Sequence, residues 1–247
     1  MSIEFSCCTF GYRRGAPVLR DLDLVLPPGR SVLLGPNGAG KSTLLGLGAG
    51  VLRPRSGRVA RGGSDAWRRR ERRRFLREVG WLPQAVRPTP GLRVREHVAY
   101  AGWLKGMSRA DAWQAAAGAL ARVGLADHAD RPARALSGGQ TRRMGIAQCL
   151  VHDAKVLLLD EPTAGLDPAQ RASFATTLLG LGDEVSVLVS THQTEDLSDT
   201  YEHVFLIDAG SLIARGTTAE FLARARPDAL PGRRAESAYT ELMGGRC

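Results

Sequence analysis

Short aliphatic runs recur along the chain, separated by longer stretches in which apolar positions return every three or four residues. Ser31-Val32-Leu33-Leu34, Val79-Gly80-Trp81-Leu82, Val156-Leu157-Leu158-Leu159 and Val185-Ser186-Val187-Leu188-Val189 are almost continuously apolar. Such runs predict parallel strands covered on both faces, because a strand with one wet face alternates. Residues 2–26 do alternate, with turn signals at Gly11 and Gly15, and predict a small antiparallel sheet. From Arg93 to Leu125 the chain is rich in Ala and helix formers, and Ser108 is placed to cap a helix beginning near Arg109. Val204–Asp208 and Ser211–Arg215 flank Ala209-Gly210 and read as a hairpin. Pro227, Pro231 and Gly232 mark a loop before a last short helix near Ala235–Met243. Strands alternating with helical stretches give an α/β fold. Its expected organisation is one domain: residues 1–84 and 152–225 as core with the antiparallel β subdomain, 85–151 as an inserted helical subdomain, and 226–247 as a tail.

Composition supports a single folded unit, with 247 residues, 43% hydrophobic and 24% charged. No segment approaches the ~18 uninterrupted apolar residues of a membrane helix. Met1-Ser2-Ile3-Glu4-Phe5 has no basic start followed by an apolar run, so a chain that stays in the cytosol is expected. Cys7, Cys8, Cys149 and Cys247 have neither zinc nor redox spacing, and the adjacent pair cannot bridge without strain. All read as small buried hydrophobes in a reducing compartment. The net charge of +9 raises nucleic acid or an anionic membrane face as partners. Lys stands only at 41, 105 and 155, however, and Arg is spread along the whole chain, as a GC-rich genome produces. Nucleic acid is therefore not expected as a partner. The densest basic run, Arg68-Arg69-Arg70 and Arg72-Arg73-Arg74 around Glu71, reads as a solvated helical face, with anionic lipid headgroups as the sharper alternative.

Candidate chemistry begins directly after the first aliphatic run. Gly35-Pro36-Asn37-Gly38-Ala39-Gly40-Lys41-Ser42 matches G-x-x-x-x-G-K-[ST] in full, and Thr43 follows it. Glycines at those positions let backbone N–H groups turn inward around phosphate oxygens, and the helix that follows aims the positive end of its dipole at the same anion. Lys41 then reaches the β- and γ-phosphates of a nucleotide, and the Ser42 hydroxyl ligates Mg²⁺. A second aliphatic run ends in Asp160-Glu161, at the strand edge where parallel sheets bind ligands. Asp160 is assigned to the Mg²⁺ shell, directly or through water, and Glu161 to the attacking water as general base. The plain alternative is that the two acids cap a helix start before Pro162.

Leu136-Ser137-Gly138-Gly139-Gln140 precedes a helical stretch over Thr141–Leu150. At this motif the sequence resembles the nucleotide-binding subunits of ABC transporters, and the resemblance runs in order along nearly the whole chain. It implies a P-loop NTPase fold with a RecA-like parallel sheet, ATP as the bound nucleotide with Mg²⁺, and ATP hydrolysis coupled to transport. Tyr12 matches the aromatic that stacks on adenine, although it reads equally as a core or edge aromatic beside Phe10. Gln84 matches the glutamine that senses Mg²⁺ and the membrane subunit. His192, after Ser190-Thr191, matches the switch histidine at the γ-phosphate, and Ala164-Gly165-Leu166-Asp167 the loop that crosses a dimer interface. The resemblance further implies a head-to-tail dimer in which Ser137, Gly138, Gly139 and Gln140 of one copy close over ATP held by the other. Its implied partner is an integral membrane permease on whose cytoplasmic face the subunit sits. The docking groove is expected at Gln84 and residues 85–105, with Val86 and Tyr100 in it. Thr141 and Gln193 depart from the family pattern without touching its phosphate chemistry. The segment from His192 to Thr217 and the tail 238–244 look most like stand-alone exporter ATPases of the ABC-2 type, so export is expected. Importer ATPases and non-transport ABC ATPases acting on nucleic acid or the ribosome are the rivals. One cassette, with no room for a long coiled coil between Lys41 and Leu136, speaks against the non-transport class.

Overall fold

The structure is a computed structural model and describes residues 2–12, 15–197 and 200–244. Strands β1 (Ile3–Phe10) and β2 (Leu19–Val25) form an antiparallel pair, and β3 (Arg30–Leu34) leads into helix α1 (Lys41–Gly48). Strands β4 (Ser56–Arg61) and β5 (Ser64–Asp65), helix α2 (Arg72–Glu78) and strand β6 (Val79–Leu82) follow. Helices α3 (Val94–Leu104), α4 (Arg109–Arg122) and α5 (Gly138–Leu150) come next, then β7 (Val156–Asp160), α6 (Pro168–Leu179) and β8 (Ser186–Thr191). The chain closes with β9 (His203–Asp208), β10 (Ser211–Thr217), α7 (Thr218–Leu222) and α8 (Arg234–Gly244). The first sheet has the order β2-β1-β4-β5 and the second β10-β9-β3-β8-β7-β6. In the second sheet only the β9–β10 hairpin is antiparallel.

The continuous aliphatic runs are buried on both faces, and successive residues divide between two cores. Val32, Leu34, Leu157, Leu159, Val187 and Val189 face the core shared with α3, α4 and α5. Their neighbours Leu33, Leu158 and Leu188 face the other way, onto Leu44, Leu45 and Leu47 of α1 and Phe5, Leu22 and Leu24 of the antiparallel sheet. That division follows from the two-residue period of a strand. Each fully buried Leu side chain contributes roughly 1.5–3 kcal/mol by leaving water. Register then decides function: Leu34 lies opposite Thr191 and Asp160 opposite Ser190. The carboxyl ends of β3, β7 and β8 thus open onto one crevice.

Several expectations are corrected. The alternating residues 2–26 supply only half of the antiparallel sheet, because β4 and β5 complete it. The strand expected from Val185 begins at Ser186. The basic run is not one solvated helical face: residues 68–71 form a turn and α2 begins at Arg72. Arg72 is an internal tie, donating to the carbonyls of Ala66 at 2.7 Å and Gly50 at 3.0 Å and stacking 4.1 Å from the Trp67 ring centroid. Cys8 and Cys149 are buried, whereas Cys7 is exposed, with φ of +48° in an irregular stretch of β1. Nearby Asp23 and Asp21 push its thiol pKa up. Cys247 lies outside the described residues. Ser108 does cap α4, accepting from the Asp111 N–H at 3.1 Å.

Candidate nucleotide site

The turn between β3 and α1 is shaped by its glycines. A Cβ at Gly35 would lie 2.3 Å from the Ile207 carbonyl oxygen, and Gly40 has φ of +105°, so neither position admits another residue without strain. Gly38, Asn37 and Ser42 are exposed along the rim, while Ala39 is buried beneath them. Lys41 is 5% exposed and folds back on the turn, donating from Nζ to the carbonyls of Gly35 at 2.8 Å and Pro36 at 3.1 Å. Its Nζ also stands 3.6 Å from Oε1 of Glu161. Burial pulls the Lys41 ammonium below its usual pKa, and the Glu161 and Asp160 carboxylates oppose the shift. A buried cation at the start of a helix fits a phosphate chain.

The two acids at the end of β7 take different places. Asp160 is buried, and its Oδ1 accepts from the Ser190 hydroxyl at 2.7 Å. Glu161 turns back with φ of +43° and donates its backbone N–H to Ser190, to the carbonyl at 3.2 Å and to Oγ at 3.0 Å. Its carboxylate is where the separate candidates meet. Gln84 Nε2 donates to Oε2 at 3.0 Å, and His192 Nδ1 stands 3.1 Å from Oε1. The helix-cap alternative for this pair of acids does not match these contacts. The α6 cap is Asp167, whose Oδ1 accepts from the Gln170 N–H at 2.8 Å.

Tyr12, Asn37, Gly38, Gly40, Lys41, Ser42, Thr43, Gln84 and Glu161 line one pocket of about 460 Å³. Tyr12 is 64% exposed at its mouth, held edge-to-face by Phe10 at 5.1 Å and sharing a 3.1 Å hydrogen bond with the Thr43 hydroxyl. An exposed ring tethered at a phosphate pocket is not a core aromatic.

Ser137, Gly139 and Gln140 are not in that pocket. They line a second hollow with Leu166, Gln170 and Phe174, and the two hollows share no residue. Ser137 caps α5, accepting from the Gln140 N–H at 3.3 Å, while the Gln140 side chain accepts from the Ser137 N–H at 3.0 Å. This reciprocal box caps the start of α5, where Ser137 and Gly138 are exposed. Gly138 lines a third hollow of about 580 Å³, with Gln84, Ala85, Val86 and Pro88.

The sequence reasoning passed over three residues that organise the site. Ser190 holds both acids. Asp196 accepts from the hydroxyls of Thr163 at 2.8 Å and Thr191 at 2.6 Å and pairs with Arg171 at 3.3 Å, tying the turn after Glu161 to the segment that carries His192. Arg142 reaches the Gln84 backbone carbonyl from α5. Ser190 was the legible one, since it precedes Thr191-His192 at the end of an aliphatic strand.

Comparison with known proteins identifies the family. The ABC transporter family model matches residues 19–164. The cobalt import ATP-binding protein CbiO of Rhodobacter capsulatus is 41% identical over 218 residues, covering 87% of this chain and 78% of that protein. Among solved structures, cbiO1 of Clostridium perfringens, part of the ABC transporter complex cbiONQ, superposes with a TM-score of 0.78 at 28% identity, covering 90% of both chains. The dimeric MJ0796, a bacterial ABC transporter cassette, gives 0.76 at 25% identity, covering 87% of this chain and 98% of that one. The P-loop pocket, the Ser137 helix start and these matches together show that the chain belongs to the ABC transporter family as its ATP-binding, ATP-hydrolysing subunit.

Proposed function

We propose that two copies of this chain, head to tail, enclose ATP between the 35–43 turn of one and Ser137, Gly138, Gly139 and Gln140 of the other, and that hydrolysis separates them to drive a membrane subunit. The observation that carries this reading is the separation of the two anion-binding helix starts into hollows with no common residue. Two copies placed head to tail set each helix start against the nucleotide of the other. Glu161 polarises the attacking water, with Gln84 and His192 fixing its carboxylate, and Tyr12 stacks on adenine. The donors fit Mg²⁺ chemically: the Ser42 hydroxyl, the Gln84 amide oxygen and the Asp160 carboxylate are all hard oxygens, as that cation requires. When bound, the cation neutralises charge on the β- and γ-phosphates.

The membrane subunit docks, in this reading, on the helical side at the cytoplasmic face. Val86 and Tyr100, expected in a single groove, line separate hollows. The one around Tyr100 carries Leu92, Trp103 and Trp113 and is the more apolar, which makes it the stronger docking candidate. No helix among the described residues is long and apolar enough to cross a membrane. For direction, the name of the cobalt-import relative favours import over the export expected from the His192–Thr217 segment and the tail. Glu161→Gln tests the core of the proposal. The variant is expected to bind ATP, lose nearly all hydrolysis and form an ATP-dependent dimer in light scattering. Unchanged turnover together with monomer at saturating ATP overturns it.

A further inference from the structure

The start of α5 does more in this fold than present Ser137. Arg142 stands on the next turn of the helix, and its guanidinium donates to the backbone carbonyl of Gln84. The Gln84 side chain in turn donates to Oε2 of Glu161 at 3.0 Å. Oε1 of the same carboxylate faces His192 Nδ1 at 3.1 Å and Lys41 Nζ at 3.6 Å. A continuous series of contacts thus runs from α5 into the phosphate pocket. Gln84 lies in residues 83–93, a segment with no helix or strand of its own between β6 and α3.

Arg142 is the side chain common to both neighbouring hollows, one lined by Gln84 and Val86 and the other by Ser137 and Gly139. Burial lowers its pKa, and the Asp160 and Glu161 carboxylates oppose the shift. Arg142 is half-buried, and one of its guanidinium N–H groups is given to the Gln84 carbonyl. The Ser137–Gln140 box closes the first turn of α5 on itself. Any displacement of its first turn therefore carries the guanidinium with it.

We propose that Arg142 is a positioning residue for ATP hydrolysis, which sets the reach of the Gln84 amide to Glu161 and so reports the state of the α5 N-terminus to the phosphate pocket of its own chain. This inference rests on the reading of Glu161 as the general base. A nucleotide engaged at Ser137 of one copy then aligns the base for the nucleotide that the same copy holds, and the two sites of a dimer become coupled.

A double-mutant cycle on the full-length chain tests it. Arg142→Met, Arg142→Lys, Gln84→Ala and the Arg142→Met/Gln84→Ala double variant are assayed for steady-state ATP hydrolysis, trinitrophenyl-ATP binding and thermal melting. Arg142→Met is expected to lose about tenfold in kcat with KM and binding changed less than about twofold, the pattern of a misplaced catalytic group. Arg142→Lys recovers most of the rate, because an ammonium still donates to a carbonyl. In the Gln84→Ala background Arg142→Met costs nothing further, since both act through one contact. An unchanged kcat in Arg142→Met, or losses that add in the double variant, overturns the proposal. If Arg142→Met fails to fold, Arg142→Gln takes its place in the cycle. Glu161→Gln is measured alongside: retained turnover there removes the base assignment, whereas the coupling of Arg142 to Gln84 is read from the cycle alone.

Discussion

At Glu161 the backbone adopts φ of +43°, a left-handed conformation that side chains other than Gly, Asn and Asp rarely take. The turn persists because Ser190 receives the Glu161 N–H on two oxygens while its hydroxyl donates to Asp160. One serine therefore holds both acids at the strand edge. Ser190→Ala should lower stability by about 1–3 kcal/mol, the range for a buried acceptor left without its donor. It should also reduce kcat more than nucleotide affinity, which urea unfolding and steady-state kinetics check together. A second residue-scale effect lies away from the site. Burial, aided by the nearby Lys105 charge, pushes the pKa of His152 down to about 4, against the opposing pull of the Val79 and Gln148 backbone and of Asp153. Between that value and the ordinary ~6.5 the unfolded chain binds a proton that the folded chain refuses, so stability rises with pH across the window. The contribution is complete above about pH 6.5 and disappears as pH falls toward 4. His152→Leu should flatten the dependence of melting temperature on pH in that interval, and an unchanged slope would show that other groups dominate it.

Helix α5 separates a structural role from a functional one on adjacent residues. Ser137→Ala removes the cap and should cost about 1 kcal/mol of stability. A Cβ at Gly138 meets nothing within 4 Å in this chain, and replacing a helical glycine by alanine stabilises by about 1 kcal/mol at most. Gly138→Ala should thus raise or preserve the melting temperature while abolishing hydrolysis, if a partner's nucleotide packs against that glycine. Normal hydrolysis would mean that the space stays empty in the assembled state. The basic run divides in a similar way. Arg72→Ala loses two carbonyl contacts and a stacked ring and should cost about 2 kcal/mol, whereas exposed Arg69 and Arg70 should tolerate reversal of charge. Elements were legible where a local signal carried them: continuous aliphatic strands, the Ser108 cap, the Ala-Gly hairpin, the glycine turn before Lys41. Strand β4 was not, because its outer half, Ser56-Gly57-Arg58, is exposed and Arg61 is buried through its pairing with Glu78, a partner supplied only by the fold. Asp196 and Arg142 were missed for the same reason. Their side chains gain meaning from hydrogen bonds across elements, and spacing along the chain does not encode those.

At the scale of the molecule, the candidate nucleotide pocket and the exposed aromatic face are different surfaces with no lining residue in common. The nucleotide pocket opens at the carboxyl edge of the parallel sheet. The exposed aromatic face, with Trp103 46% and Leu104 62% exposed, lies on α3 beside α4, and Tyr100 stacks on Trp103 at 5.8 Å. Between them run the segment around Gln84 and the helix bearing Arg142. A monomer gains nothing by wetting two tryptophans and a tyrosine on one patch, since each is worth burying. Trp103→Glu puts a charge at the centre of that patch without reaching the phosphate pocket. The isolated variant should keep its nucleotide affinity and melting temperature, because the replaced ring is half in water already. It should fail to co-purify with the membrane subunit, and hydrolysis in the assembled transporter should fall with it, because losing one buried aromatic anchor and desolvating a carboxylate both weaken an interface. Arg70→Glu, on the exposed turn before α2, serves as the control for charge alone. If both variants assemble equally well, the aromatic face is not where the membrane subunit sits, and the hollow lined by Val86 and Pro88 becomes the surface to test.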